Sequence, residues 1–334
     1  MLKSLDQKLN RVLSDPSCND FIIADAKDAD MGYGLAAPGL LGNEAGRYRS
    51  LEEYRQTMRE IVKQGLVDVM LMSPSTSEIL TLEERIFDDS HVTPAVRAND
   101  ATDIWLGVGT GAYPRQPSLP FHSATIDQLQ CGRRSCSLEE RKRGPDLGLY
   151  SLTFNNDAER DSYALAQYRE FRLEAEAKGF RHFLEVFAPN AYGQNPPPET
   201  GRYVNDCIVR AMGGVVRNNR PLFLKIPYFG PAAMEALVHY DPQLVVGVLG
   251  GSAGTTHDAF HMLADAKKHG ARVALFGRKI NNAENQLLFL QALRAVADGE
   301  MTAEEAVKHY HAELEKEGFP PHRSLEDDLQ LTQF

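Results

Sequence analysis

Short apolar runs recur along this chain, separated by stretches whose apolar residues fall at helical spacing. The runs are Phe21-Ile22-Ile23-Ala24-Asp25, Val67-Asp68-Val69-Met70-Leu71-Met72, Asp103-Ile104-Trp105-Leu106-Gly107-Val108 and Gly148-Leu149-Tyr150-Ser151-Leu152-Thr153-Phe154. Four more follow: Arg181-His182-Phe183-Leu184-Glu185-Val186-Phe187, Pro221-Leu222-Phe223-Leu224-Lys225-Ile226, Leu244-Val245-Val246-Gly247-Val248-Leu249 and Arg272-Val273-Ala274-Leu275-Phe276. Each is strand-length, rich in β-branched or aromatic residues, and bounded by polar, Gly or Pro positions, so each predicts a buried strand. Between them, residues 50–64, 158–178, 203–216 and 258–269 predict helices. The second carries Ala164, Leu165, Tyr168, Phe171 and Leu173 near helical spacing.

Eight strand signals alternating with helices over 334 residues predict an α/β (β/α)8 TIM barrel. A doubly wound open sheet is the rival, and the number of strands favours the barrel. Two connections are long, residues 110–147 after the third predicted strand and 188–202 after the fifth. Both follow strand C-terminal ends, where barrels of this kind carry their sites. Each is readable as a lid or as an oligomer contact. Residues 1–318 are expected to form a single barrel domain, and 319–334 a polar C-terminal tail.

Composition narrows the class. Hydrophobic residues are 43% and charged residues 25%, the balance of a globular protein. A net charge of -10 argues against a nucleic-acid surface. No apolar stretch approaches a membrane span, and the first residues form an amphipathic segment without a signal-peptide core. The four cysteines, Cys18, Cys131, Cys136 and Cys207, are too sparse for a disulfide framework, so cytoplasmic residence is expected. Cys131 and Cys136 lack the second pair that would complete a zinc site.

Lys225 changes the picture most. A lysine inside an apolar strand needs a reason, because lysine is almost never fully buried unpaired. Desolvation lowers its proton affinity, and a neutral amine attacks carbonyls to give a Schiff base. A strand-end lysine reaching solvent or a structural carboxylate is the alternative on this segment alone. Glu185 stands in a similarly apolar strand. Asp25 and Lys27 are two apart at the end of the first, so they point to the same side of it. Two carboxylates and two amines on three strands suggest a site that tunes proton affinity, with a structural ion-pair network as the competing reading. The chemistry such a group supports is carbon–carbon bond cleavage without cofactor or metal. Lys225 would form the iminium, and Asp25 or Glu185 would take the proton of the departing hydroxyl. Lys27 would repel charge on Lys225 or hold a substrate oxygen.

Glycine-rich turns follow the seventh and eighth predicted strands: Gly250-Gly251-Ser252-Ala253-Gly254 and Gly277-Arg278. Loops in those places often cradle phosphate, with glycine admitting backbone N–H groups and arginine supplying charge. Tight strand-to-helix turns would use glycine too. His257 and His261 have metal-ligand spacing but no third ligand in the sequence, so they are read as helix-surface histidines.

These residues resemble the class I aldolases of the tagatose-1,6-bisphosphate aldolase group, relatives of the archaeal-type fructose-bisphosphate and deoxyribose-phosphate aldolases. Ser252-Ala253-Gly254 followed by Phe260, Leu263, Ala266, Gly270-Ala271 and Gly277-Arg278 is similar to the family's phosphate segment. Asp25-Ala26-Lys27 resembles its Asp-Gln-Arg, Phe183-Leu184-Glu185 its Phe-Leu-Glu, and Lys225 falls on its Schiff-base lysine. The resemblance implies acid/base roles for Asp25 and Glu185 and a nucleophilic Lys225. It implies a phosphorylated-sugar substrate held by Lys27, Gly250, Gly251, Ser252, Gly254, Gly277 and Arg278, and a homo-oligomer. Three features depart from the family. No lysine follows Gly144-Pro145-Asp146, Gly107-Val108-Gly109-Thr110-Gly111 lacks the Tyr-Glu element, and Lys27 replaces arginine. The departures bear on a second phosphate more than on the chemistry. A Schiff-base isomerase or transaldolase, and a sugar-phosphate-binding barrel without activity, are the other readings.

Overall fold

The computed structural model describes residues 2–15, 17–41, 46–105, 112–192, 199–251 and 254–333. Eight parallel strands close on themselves: β1 (Ile22–Lys27), β2 (Val69–Met72), β3 (Thr93–Arg97), β4 (Leu147–Thr153), β5 (Arg181–Phe187), β6 (Leu224–Ile226), β7 (Val246–Gly250) and β8 (Val273–Phe276). Strand β1 pairs with β2 on one side and β8 on the other, which removes every sheet edge. The expected (β/α)8 barrel is the observed fold.

One predicted strand was misplaced. Asp103–Val108 begins inside a one-turn helix, Thr102–Trp105, and the rest of the run lies outside the described residues. The third strand is instead Thr93-Pro94-Ala95-Val96-Arg97. A proline inside so short a run argues against a central strand. Here it is harmless, and the register shows why. Thr93 donates its N–H to Asp68 of the β2 side, and Ala98 donates to Leu149 of β4. Even positions therefore face β4, which begins only at Leu147, opposite Ala95. Pro94 lacks a donor where no ladder partner exists.

Strand parity sorts the core into two layers. Ile22, Ala24, Ala26, Val69, Leu71, Ala95, Leu147, Leu149, Phe183, Phe223, Val245, Val273 and Leu275 fill the barrel interior. Their alternate neighbours on each strand, among them Ile23, Met70, Met72, Val96, Tyr150 and Phe276, pack outward against the helices. Helix α1 (Ser4–Ser14) sends Leu5 and Leu9 into the inner layer and so plugs the barrel at its N-terminal end.

The surrounding helices begin where their caps dictate. Helix α2 (Leu51–Gln64) starts with a capping box of Ser50 and Glu53 and ends at Gly65. Helix α3 (Ala158–Ala177) buries Ala164, Tyr168, Phe171 and Ala175, while Leu165 and Leu173 of the expected apolar set are exposed. Helices α4 (Thr200–Gly213), α5 (Pro231–Tyr240), α6 (Thr256–Lys268), α7 (Gln286–Asp298) and α8 (Ala303–Lys316) complete the ring. No described helix is long and apolar enough to cross a membrane.

Two segments differ from the composition-based expectations. Cys131 and Cys136 form a disulfide across Gly132, whose left-handed backbone turns the chain at the end of the helix Ile126–Cys131. The tail is not merely a surface appendage. Asp328 is buried, accepts the Thr256 N–H at 2.7 Å and meets His311 Nε2 at 3.0 Å.

Candidate active site

Sequence places Glu185 and Lys225 on adjacent strands, and the β5–β6 register sets them side by side. Two residues earlier on the same strands, Phe183 and Phe223 stack with centroids 4.6 Å apart in the inner layer. That stack is the dry floor beneath both charged groups. Across the β6–β7 pairing Gly247 lies opposite Lys225, and a Cβ there would fall 2.7 Å from both the Leu224 carbonyl and the Val273 Cβ. Lys225 Nζ lies 2.8 Å from Glu185 Oε1, and the two residues are 7% and 2% exposed. The amine is therefore buried and paired, within hydrogen-bond reach of an acid/base group.

Glu185 has a second partner. Ser151 of β4 donates its hydroxyl to Oε2 at 2.8 Å. Behind Ser151 stands Arg97, at the end of β3, with Nη2 3.3 Å from the Ser151 Oγ and Nη1 2.8 Å from Asp28 Oδ2. Burial works against the Arg97 charge, but Asp28 and Glu185 more than offset it, so the guanidinium is held above its ordinary value. Lys225, Glu185, Arg97 and Asp28 line a cavity of about 90 Å³ at the C-terminal mouth, together with Tyr33, Gly250, Gly277 and Arg278. Burial raises the Tyr33 phenol, which stays a neutral hydroxyl in that wall.

Asp25 and Lys27 do not join them. They share parity with Ile23 and pair in register with Met70, Met72 and Phe276 of the outer layer. Lys27 Nζ is 3.2 Å from Asp25 Oδ2 and donates to Asn281 Oδ1 at 2.5 Å and Gln286 Oε1 at 2.6 Å. Both are fully buried between barrel and helices. Burial pushes the Asp25 carboxyl up to about 6 against the pull of Lys27, and burial lowers Lys27. Neither Asp25 oxygen has another hydrogen-bond partner among the described residues. The second carboxylate at the mouth is Asp28, which continues the inward alternation of Ala24 and Ala26.

The glycine-rich turns divide in a similar way. Gly250, Gly277 and Arg278 line the cavity, and the Arg278 guanidinium stacks over Tyr33 at 5.0 Å. No carboxylate pairs with Arg278 among the described residues. A Cβ on Gly277 would fall 2.7 Å from the Ala26 carbonyl, so only glycine lets the β8 end approach β1 this closely. Gly251 faces a separate hollow beside Lys279 and Asp258. Gly254 has φ +82° and packs against the Asp258 carboxylate, which caps α6 with Thr255 and accepts from Thr332 of the tail. Ser252 lies outside the described residues. His257 is engaged by the Leu329 carbonyl at 2.7 Å.

With the geometry in view, the solved structures become informative. An archaeal fructose 1,6-bisphosphate aldolase matches over 89% of this chain and 100% of its own, at 13% identity and a TM-score of 0.61. In fold, the chain is similar to that barrel. A second archaeal fructose-1,6-bisphosphate aldolase, with its catalytic Lys covalently bound to the carbinolamine intermediate of the substrate, covers 89% of this chain and 100% of its own at 14% identity and TM-score 0.62. The fructose-bisphosphate aldolase from Slackia heliotrinireducens covers 95% and 93% at 15% identity and TM-score 0.63. No family model and no curated protein matches the sequence.

Within this barrel, the residues the sequence did not single out are Arg97, Ser151, Asp28 and Tyr33. Arg97 and Asp28 were findable by parity once β3 and β1 were placed. Ser151 sits at the same parity as Leu149 and opposite Glu185 in register. Tyr33 lies in a loop and gives no periodic signal.

Proposed function

We infer that the chain is a class I aldolase, a lyase that breaks or forms a carbon–carbon bond in a phosphorylated ketose or related sugar. The observation that carries this reading is the buried Lys225 amine 2.8 Å from Glu185 at the mouth of an aldolase-type barrel. The neighbour whose lysine bonds to its substrate as a carbinolamine supports the same chemistry on the same fold.

The steps follow from proton bookkeeping. The Lys225 ammonium passes one proton to Glu185 Oε1, and the neutral amine attacks the ketone carbon. The carbonyl π electrons move to oxygen, which takes the proton that the attacking nitrogen sheds and becomes the carbinolamine hydroxyl. Glu185 returns its proton to that hydroxyl, the C–O bond breaks, and water leaves as nitrogen forms the iminium. The iminium accepts the electron pair of the breaking carbon–carbon bond. Asp28, the other carboxylate of the cavity, takes the proton of the hydroxyl that becomes the departing aldehyde. Arg278, uncompensated by any described carboxylate, with the Gly250 and Gly277 backbone, holds the phosphate.

Borohydride reduction in the presence of a panel of ketoses and ketose phosphates, read by peptide mass, is the test. The expected result is a stable adduct on Lys225, absent in Lys225→Met, which keeps its fold and loses turnover. No mass increase with any ketone would sink the reading. Product analysis with labelled dihydroxyacetone phosphate separates an aldolase from a Schiff-base isomerase or transaldolase.

A further inference from the structure

We propose that Arg97 is a positioning residue for this chemistry: acting through Ser151, it dictates which oxygen of Glu185 handles protons. The inference deepens the aldolase reading and rests on it. A serine hydroxyl has one hydrogen and two lone pairs, whereas a guanidinium can only donate. With Arg97 Nη2 3.3 Å away, the Ser151 oxygen must offer a lone pair to it. The one hydroxyl hydrogen is then committed to Glu185 Oε2, 2.8 Å distant. An Oε2 that already accepts this hydrogen is the less basic of the two oxygens, because a proton there would weaken that bond. Protons are steered to Oε1, the oxygen that faces Lys225.

The surroundings fix each member of the relay. Arg97 is held by Asp28 at 2.8 Å and by the Asn99 carbonyl at 2.8 Å from Nε. Asn99 also brackets the backbone of Ser151, accepting its N–H at 2.7 Å and donating to its carbonyl at 3.0 Å. Arg97, Asn99 and Ser151 are all buried. So much hydrogen bonding behind one carboxylate exceeds what an ion pair requires. The charged and titratable groups facing Glu185 are Lys225 from β6, Arg97 from β3, Asp28 behind it, and Tyr33 and Arg278 across the cavity. Of these, only Arg97 reaches Ser151.

Ser151→Ala and Arg97→Lys test the relay. The alanine deletes the hydroxyl. The lysine keeps a positive charge for Asp28 but cannot reach Asp28 and Ser151 together, so the hydroxyl is free to turn. The probe is dihydroxyacetone with borohydride, followed as rate against pH, with melting curves as the control for folding. Both variants are expected to melt as folded proteins and to hold dihydroxyacetone with KM within about threefold of wild type. Trapping should slow by about tenfold or more, the size of one lost hydrogen bond to a charged group. The acidic limb of the rate profile should move to higher pH. The carbon-13 carboxyl resonance of Glu185, assigned with Glu185→Gln, should move from its wild-type position in both, because Oε2 loses its fixed donor. Should Ser151→Ala not fold, Ser151→Cys keeps the volume with a weak donor and takes its place. A folded Ser151 variant with wild-type profiles overturns the proposal. A shift in the Ser151 variant without one in Arg97→Lys overturns the part assigned to Arg97. If wild-type protein traps no carbonyl compound, the aldolase reading falls, and the carboxyl resonance still decides whether Ser151 and Arg97 govern Glu185.

Discussion

Two buried lysine–carboxylate pairs stand on neighbouring parts of this barrel, and they are built for different ends. Asp25–Lys27 is wholly sealed, between β1 and the helices, at 3.2 Å. Glu185–Lys225 lies in the interior at 2.8 Å and opens on a cavity. In the first pair the lysine is saturated by Asn281 and Gln286, while the carboxylate has no partner but the lysine. In the second the carboxylate is served on both oxygens, and the amine faces the space where a carbonyl would sit. Composition of the two pairs is nearly identical. What separates them is one parity step along a strand, which decides whether a side chain meets helices or the barrel mouth.

The sharpest way to break that contrast is to neutralise each carboxylate in turn. Glu185→Gln should cut turnover by roughly a thousandfold, the scale of a lost general acid/base, with the adduct on Lys225 forming slowly. Asp25→Asn should leave turnover per folded molecule unchanged and cost about 3–5 kcal/mol of stability, because Lys27 then keeps a buried charge without its counter-ion. Urea unfolding alongside steady-state rates reads both. If Asp25→Asn loses activity while remaining as stable as wild type, the two pairs are not distinct and Asp25 belongs to the chemistry.

Sequence made the barrel legible because seven of its strands are dense apolar runs at their true positions. The eighth, β3, hid behind Pro94, whose harmlessness depends on where β4 begins, a tertiary fact no local pattern carries. Lys225 and Glu185 were legible as charges inside apolar runs. Asp25 and Lys27 met the same criterion and were assigned to the same mouth, because a strand read alone shows that two residues share a side but not which side. The small Ala24 and Ala26 on either side of Asp25 were the clue, since inner-layer positions of a strand facing bulky neighbours favour small residues. Arg97 and Ser151 were illegible for a different reason. Their meaning comes from a hydrogen-bond chain through three strands, and only register assembles it.

The outer layer offers a pH test of how dry it is. His182, one residue before Phe183 and of opposite parity, is 4% exposed, and its Nε2 lies 2.8 Å from the Tyr168 hydroxyl. Burial, aided by the charge of Arg172, lowers it from 6.5 to about 3. A depressed folded-state value means the unfolded chain binds the proton first. Stability present above pH 6.5 is therefore lost as pH falls toward 3. By pH 5 the loss from this one group is about 2 kcal/mol relative to pH 7.5. Unfolding free energies at the two pH values, compared between wild type and His182→Phe, should show the slope in the first and its reduction in the second. An unchanged slope would mean that water reaches the outer layer, and the sealed character assigned to the Asp25–Lys27 pair would weaken with it.

The smallest expected effect concerns the charge that the mouth leaves unmatched. In the sealed pair every cation has its acceptors, whereas Arg278 stacks on Tyr33 and meets no carboxylate among the described residues. An arginine so placed can pair with an anion brought by a ligand. Arg278→Gln should raise KM for a ketose phosphate by roughly tenfold, about 1.4 kcal/mol, with little change for the same ketose without phosphate. The borohydride adduct with dihydroxyacetone should form at the wild-type rate, because the reacting atoms lie at Lys225 and Glu185. Equal loss for both substrates would place Arg278 in the wall of the cavity and not in recognition. The phosphate would then have to be read by backbone N–H groups alone, and the contrast between a charge-matched pair and an open mouth would rest on Lys225 by itself.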